Sequence, residues 1–200
     1  MEHQEGVLTL YSDGTFERYT DNHVPSTHGT LESGVATRDV VIDPDTGVWA
    51  RIFRPKSTFS SSGTEPEPPL EKVPIVLHFH GGGFCVGSPG APHTHAFCRA
   101  MCLATRCLWV SVAYRLAPEH KLPAAYADGV SAFRWLTEEG GAEDPWVSSV
   151  GDVGRVFLAG ESAGGTMVHY VAGEIGSGFG SGFGFGSGLG SSSSSGPVWV

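Results

Sequence analysis

Two short motifs carry residue types that do chemistry together. The first is Gly160-Glu161-Ser162-Ala163-Gly164, a G-x-S-x-G pattern. It follows an apolar run ending at Ala159 and precedes a helix-like stretch, so it reads as strand, sharp turn, helix. Such a turn lifts the Ser162 Oγ above the sheet edge, at a helix N-terminus whose dipole and free N–H groups favour developing negative charge. Ser162 is therefore the candidate nucleophile of an acyl transfer. The pattern fixes only three residues, and chance also supplies it. The second motif is His80-Gly81-Gly82-Gly83, after the apolar run Ile75 to Phe79. Three glycines let backbone N–H groups point into a cavity and hold an oxyanion. Ala163, the residue after the nucleophile, supplies another N–H. The alternative is a glycine turn with no chemical role. His80 reads as a brace for this loop, not as the general base. Each motif ends a predicted parallel strand, where open α/β sheets bind ligands. Their joint occurrence is far more specific than either alone.

The elements that must position these motifs follow from the hydropathy pattern. Val73 to Phe79, Leu108 to Ala113 and Val156 to Ala159 are unbroken apolar runs, as expected for strands buried on both faces. Helices are predicted over His95 to Thr105, Ala124 to Glu138 and Ala163 to Ile175. That alternation predicts an α/β doubly wound sheet. Antiparallel strands precede it. Residues 7 to 19 alternate around Asp13-Gly14, and Val40 to Ile42 and Val48 to Phe53 flank the turn Asp43 to Gly47. Residues 20 to 36 read as loop and 55 to 72 as an exposed connector. The expected organisation is an N-terminal hairpin and loop over 1–36 and an α/β core over 37–175. A low-complexity Gly/Ser/Phe linker covers 176–196, and 197–200 reads as the opening of a further strand.

Composition narrows the function classes. A chain of 200 residues with 40% hydrophobic and 16% charged residues can build one sizeable core. Its net charge of −9 gives no electrostatic reason to seek nucleic acid or an anionic membrane. There is no apolar run of membrane-spanning length and no secretory leader pattern, so the expected address is cytoplasmic, with nuclear entry open. Cys85, Cys98, Cys102 and Cys107 contain no C-x-x-C and read as small core residues in a reducing compartment. His93 and His95 form an H-x-H, but no acid or cysteine joins them at ligand spacing. Neither a metal nor a cofactor is expected. Of 29 glycines, nine lie between Gly176 and Gly196, which leaves a second population inside the folded part.

A third stretch carries a resemblance. Tyr114-Arg115-Leu116-Ala117-Pro118-Glu119-His120 and Leu122-Pro123-Ala124-Ala125, taken with HGGG and GESAGG, resemble the hormone-sensitive-lipase-like branch of the α/β hydrolases. The likeness is closest to plant carboxylesterases of the group that includes the gibberellin receptors. It runs from about Gly6 to Ile175 and includes Leu10 to Gly14, Asp39 to Pro44 and Gly83 to Ser88. The resemblance implies an α/β-hydrolase fold and a small-molecule ester substrate. It implies that Ser162 is the nucleophile and that Gly82, Gly83 and Ala163 supply oxyanion-hole N–H groups. Arg115, Glu119 and His120 would brace the loop, and Asp128 and Trp135 would pack the following helix, with an Arg115–Asp128 contact.

In this superfamily the acid and the histidine follow the nucleophile. After Ser162 come one histidine, His169, and one acid, Glu174, both on the predicted helix. Seven residues along a helix is about 10 Å, so His169 cannot serve Ser162 as base. Three expectations remain open. One is the N-terminal part of a carboxylesterase, inactive or weakly active as it stands. Another is a hormone-binding protein of the receptor type, which the absence of an amphipathic helix over 1–30 disfavours. The last is a truncated product without function.

Overall fold

The computed structural model describes residues 8–19, 23–56, 72–138 and 140–178. The chain opens on the expected hairpin, strands β1 (Leu8–Leu10) and β2 (Phe16–Arg18), which pair antiparallel as a small sheet of their own. Asp13 closes its turn by accepting from Thr15 N–H at 2.9 Å. The span expected as loop over 20–36 instead contains β3 (Leu31–Glu32) and the start of β4 (Val35–Asp43). Ser33 and Gly34, at φ 45° and 89°, form a tight two-residue turn between them. That turn type suits the twist of antiparallel strands. β4 pairs with β5 (Val48–Pro55) across the predicted turn.

The main sheet has six strands in the order β3-β4-β5-β7-β6-β8. Its parallel part is β6 (Val73–Phe79), β7 (Leu108–Ala113) and β8 (Gly151–Gly160). β5 joins it antiparallel through β7. The strand alternation sorts side chains onto two faces. Ile75, Leu77 and Phe79 pack with Leu108, Val110 and Val112 in the larger core. Val76 and Trp109 face the other way, into a smaller core with Cys98 and Cys102. Helix α1 (Pro92–Thr105) contributes to the smaller core. Helices α2 (Ala124–Thr137), α4 (Pro145–Val150) and α5 (Ala163–Gly178) cover the larger one. Helices on both faces make the sheet doubly wound, as the alternation predicts.

Two short helices were not expected: α3 (Gly140–Glu143) and α4. The side chain of Asp144 caps α4, accepting from Trp146 N–H at 2.9 Å and Val147 N–H at 3.2 Å. α5 runs to Gly178, past the expected linker boundary at 176. The connector over 57–71 and the segment over 197–200 lie outside the described residues. Among the described residues no helix is long and apolar enough to cross a membrane.

The topology creates the site. From β6 the chain turns through α1 to β7 on one side. From β7 it crosses back through α2 to β8 on the other side of β6. The carboxyl ends of β6 and β8 therefore flank a switch point, the place where an open α/β sheet leaves a crevice. Phe79 and Gly160 are paired in register at those ends.

Candidate active site

The loop after β8 is a tight turn. Gly164 N–H donates to Glu161 O at 2.8 Å, and Gly165 N–H donates to Ser162 O at 2.9 Å to begin α5. Ser162 sits at φ 52°, in the left-handed region that a non-glycine residue enters only under constraint. It is exposed, and among the described residues no side chain hydrogen-bonds to its Oγ. Gly164 enables the turn. A Cβ there would lie 2.0 Å from Phe79 O and 2.9 Å from His80 O. The elbow is thus pressed against the end of β6.

The glycine loop is beside it. A Cβ on Gly81 would stand 3.5 Å from Ser162 Cβ and 3.1 Å from Glu161 O, so the two motifs are in van der Waals reach. A Cβ on Gly82, at φ 113°, would lie 2.2 Å from Val86 O, so the position admits no side chain. Its carbonyl accepts from Cys85 N–H at 3.0 Å and Val86 N–H at 3.1 Å, closing the loop on itself. The N–H groups of Gly82, Gly83 and Ala163 have no hydrogen-bond partner among the described residues. They are donors in want of an acceptor.

His80 lies at the start of the loop and contacts it. Its Nδ1 lies 2.7 Å from Gly81 O, and since a carbonyl only accepts, Nδ1 carries the hydrogen. The ring stacks on Tyr114 at 4.3 Å, and the Tyr114 hydroxyl donates to His80 O at 2.6 Å. Burial pushes the imidazole down to about 4, so it is neutral near pH 7. His78, also buried, is pushed down to about 3 by desolvation first and by the neighbouring His80 second. Neither ring offers a solvent-facing base.

The loop after β7 ties the site to α2. Arg115 donates from Nη2 to Asp128 Oδ1 at 2.6 Å and from its backbone N–H to Asp128 Oδ2 at 2.8 Å, the expected contact. This pairing raises the Arg115 guanidinium above its ordinary value. Asp128 and Trp135 are both buried in the α2 packing. Glu119 binds Arg18, a partner that sequence reasoning did not supply. His120 is exposed, and its backbone N–H bonds Leu116 O. His169 is exposed on α5. His93 approaches Glu161 at 3.9 Å, while His95 belongs to a separate cluster around the buried Arg51. Among the described residues no three His, Cys, Asp or Glu side chains are grouped as metal ligands.

An exposed serine on a strained strand-to-helix turn, facing a glycine loop at the end of the adjacent parallel strand, is the layout of a serine hydrolase built on an α/β sheet. The alpha/beta hydrolase fold family matches residues 76–180, and the chain belongs to that family. It falls with the plant carboxylesterase group. It is 44% identical over 178 residues to probable carboxylesterase 6 of Arabidopsis thaliana, covering 86% of this chain and 49% of that one. It is 38% identical over 167 residues to tuliposide A-converting enzyme b1, amyloplastic, of Tulipa gesneriana, covering 82% and 41%. Among solved structures it resembles a hyperthermophilic esterase from Pyrobaculum calidifontis, with TM-score 0.55, 32% identity and coverage of 70% and 39%. It also resembles the metagenomic carboxylesterase EstE1, with TM-score 0.56, 31% identity and coverage of 76% and 46%. The chain spans about half, or less, of the length of these relatives.

Proposed function

We propose that this chain carries the nucleophile and the oxyanion-binding half of a carboxylic ester hydrolase. One observation supports this reading above the others: the G-x-S-x-G turn and the glycine loop converge at the ends of two adjacent, in-register parallel strands. Ser162 Oγ attacks the ester carbonyl carbon, and the carbonyl π electrons move onto oxygen. The N–H groups of Gly82, Gly83 and Ala163 hold that oxyanion in the tetrahedral intermediate. Its collapse re-forms the carbonyl and expels the alcohol, leaving an acyl-serine that water then hydrolyses. The substrate class is a small apolar carboxylic ester, in keeping with esterase relatives.

Proton transfer needs a base, and among the described residues none is hydrogen-bonded to the Ser162 Oγ. His80 is buried with its Nδ1–H committed to Gly81, and His169 lies on the exposed side of α5. On this reading, acylation by the described residues alone is slow. The test is labelling by a serine-reactive fluorophosphonate, read by intact mass, for the wild-type chain and Ser162→Ala. A single adduct that maps to Ser162 and vanishes in the variant is expected. Equal labelling of both proteins, or none of the folded wild type, would overturn the assignment.

A further inference from the structure

We propose that Arg18, on the N-terminal hairpin, is a positioning residue of the oxyanion loop, which makes that hairpin part of the reaction machinery. The inference rests on the ester-hydrolase reading and deepens it. The hairpin β1–β2 shares no strand pairing with the main sheet. Arg18 reaches from it to two loops at the mouth of the site. Its Nε donates to Cys85 O at 2.6 Å, and its Nη2 donates to Ala117 O at 2.8 Å. Nη1 donates to Glu119 Oε1 at 2.7 Å, while Nη2 also meets Glu119 Oε2. The pairing is a two-pronged fork on a carboxylate, which fixes orientation as well as distance. The Arg18 side chain is 17% exposed and that of Glu119 38%, so the guanidinium and its bonds to the backbone carbonyls are mostly covered while the carboxylate faces solvent.

The bonds fall where the oxyanion loop needs restraint. Gly83 and Phe84 sit at φ 60° and 63°, and for Phe84 that conformation is disfavoured. Such a backbone persists only when its surroundings over-determine it. Ala117 N–H donates to Phe84 O at 2.8 Å, and Arg18 takes the next carbonyl, Cys85 O. The same guanidinium also holds Ala117 through its carbonyl. Two consecutive peptides after Gly83 are thus held by one connected set of bonds. With the loop's exit fixed, the direction of the Gly83 N–H is fixed too. A lysine keeps the charge but not the planar fork, and cannot make the same bonds together.

The test uses the full chain as wild type, Arg18→Lys and Glu119→Gln. Three quantities are compared: the rate of Ser162 labelling by a fluorophosphonate, amide hydrogen exchange by mass spectrometry, and the urea midpoint. For Arg18→Lys we expect labelling about 10- to 100-fold slower, because small displacements at a reacting centre cost on that order. Amides of residues 82–87 should exchange faster, with β6, β7 and α5 unchanged. Glu119→Gln keeps both backbone bonds and should slow labelling only a few-fold. Wild-type labelling rates in Arg18→Lys would overturn the proposal, as would faster exchange spread evenly over the sheet. If wild type itself fails to label at Ser162, the ester-hydrolase reading falls. Exchange over 82–87 still decides in that case whether Arg18 holds the loop.

Discussion

At the residue scale, the site depends on where backbone meets backbone. Gly164 is the sharpest case. Replacing it by alanine drives a methyl into the carbonyls of Phe79 and His80, and neither is a movable side-chain tip. Gly164→Ala should therefore cost about 1–3 kcal/mol of stability, the usual penalty of forced overpacking. It should also abolish fluorophosphonate labelling by pushing the elbow away from the glycine loop. A urea titration and a labelling time course check the two halves. Labelling at the wild-type rate would mean that the turn relaxes without losing its geometry. The need for glycine here is legible in the motif, since G-x-S-x-G names this position. Which atom the glycine avoids is not legible, because Phe79 is distant in sequence and arrives only when β6 pairs with β8.

At the element scale, the sequence reads long periodic segments well and short ones poorly. β7 matches the predicted span, and α2 differs only at its last residue. α3 and α4 are short, and a few residues carry too little periodicity to reveal a helix. The local signal was Asp144-Pro145, a capping acid followed by proline at the first helical position. Asp144 is buried, and its carboxylate both caps α4 and pairs with Arg38 on β4. Arg38 in turn lies over the Trp146 ring at 5.0 Å. Asp144→Ala removes the cap and leaves Arg38 unpaired, so a loss of about 1–2 kcal/mol is expected from the cap alone. Asp144→Asn retains an acceptor for the helix N–H groups and should lose less. Chemical denaturation of both variants gives the comparison, and equal losses would assign the effect to the ion pair instead.

At the scale of the whole molecule, two buried neutral histidines, His78 on β6 and His80 just past its end, set an acid limit. The folded pKa of His80 is about 4, below the ordinary value of 6.5, because charging the ring inside the protein costs desolvation. Above pH 6.5 the ring is neutral folded and unfolded, and stability is intact. As pH falls from 6.5 towards 4, the unfolded chain binds the proton first and stability is lost. A shift of this size corresponds to on the order of 3 kcal/mol. His78, with a folded value of about 3, acts with the same sign over a wider window. Carboxylates held down by partners, such as Asp13 beside Thr15 and Glu119 beside Arg18, add losses at lower pH. The urea midpoint should therefore fall between pH 7 and 4.5, and His80→Asn should flatten that slope. Asparagine keeps a donor for Gly81 O without a titrating ring. An unchanged slope would place the acid sensitivity elsewhere.

The sequence by itself determined the strand and helix periodicity, the two glycine-bearing loops and the serine within the second of them. Those signals are local, since turn chemistry and side-chain alternation act over a few neighbouring residues. Tertiary structure decided which loops meet. The switch point brings Gly81 against Ser162, Tyr114 under His80, and Arg115 onto Asp128. It also brings Arg18 to Cys85 and Glu119, for which no spacing rule exists. A single arginine in a hairpin looks like any surface charge until the fold lays two loops around it. Hydrogen bonds to backbone carbonyls leave no residue-type signature at the accepting position, so the partners Cys85 and Ala117 were invisible in the chain alone.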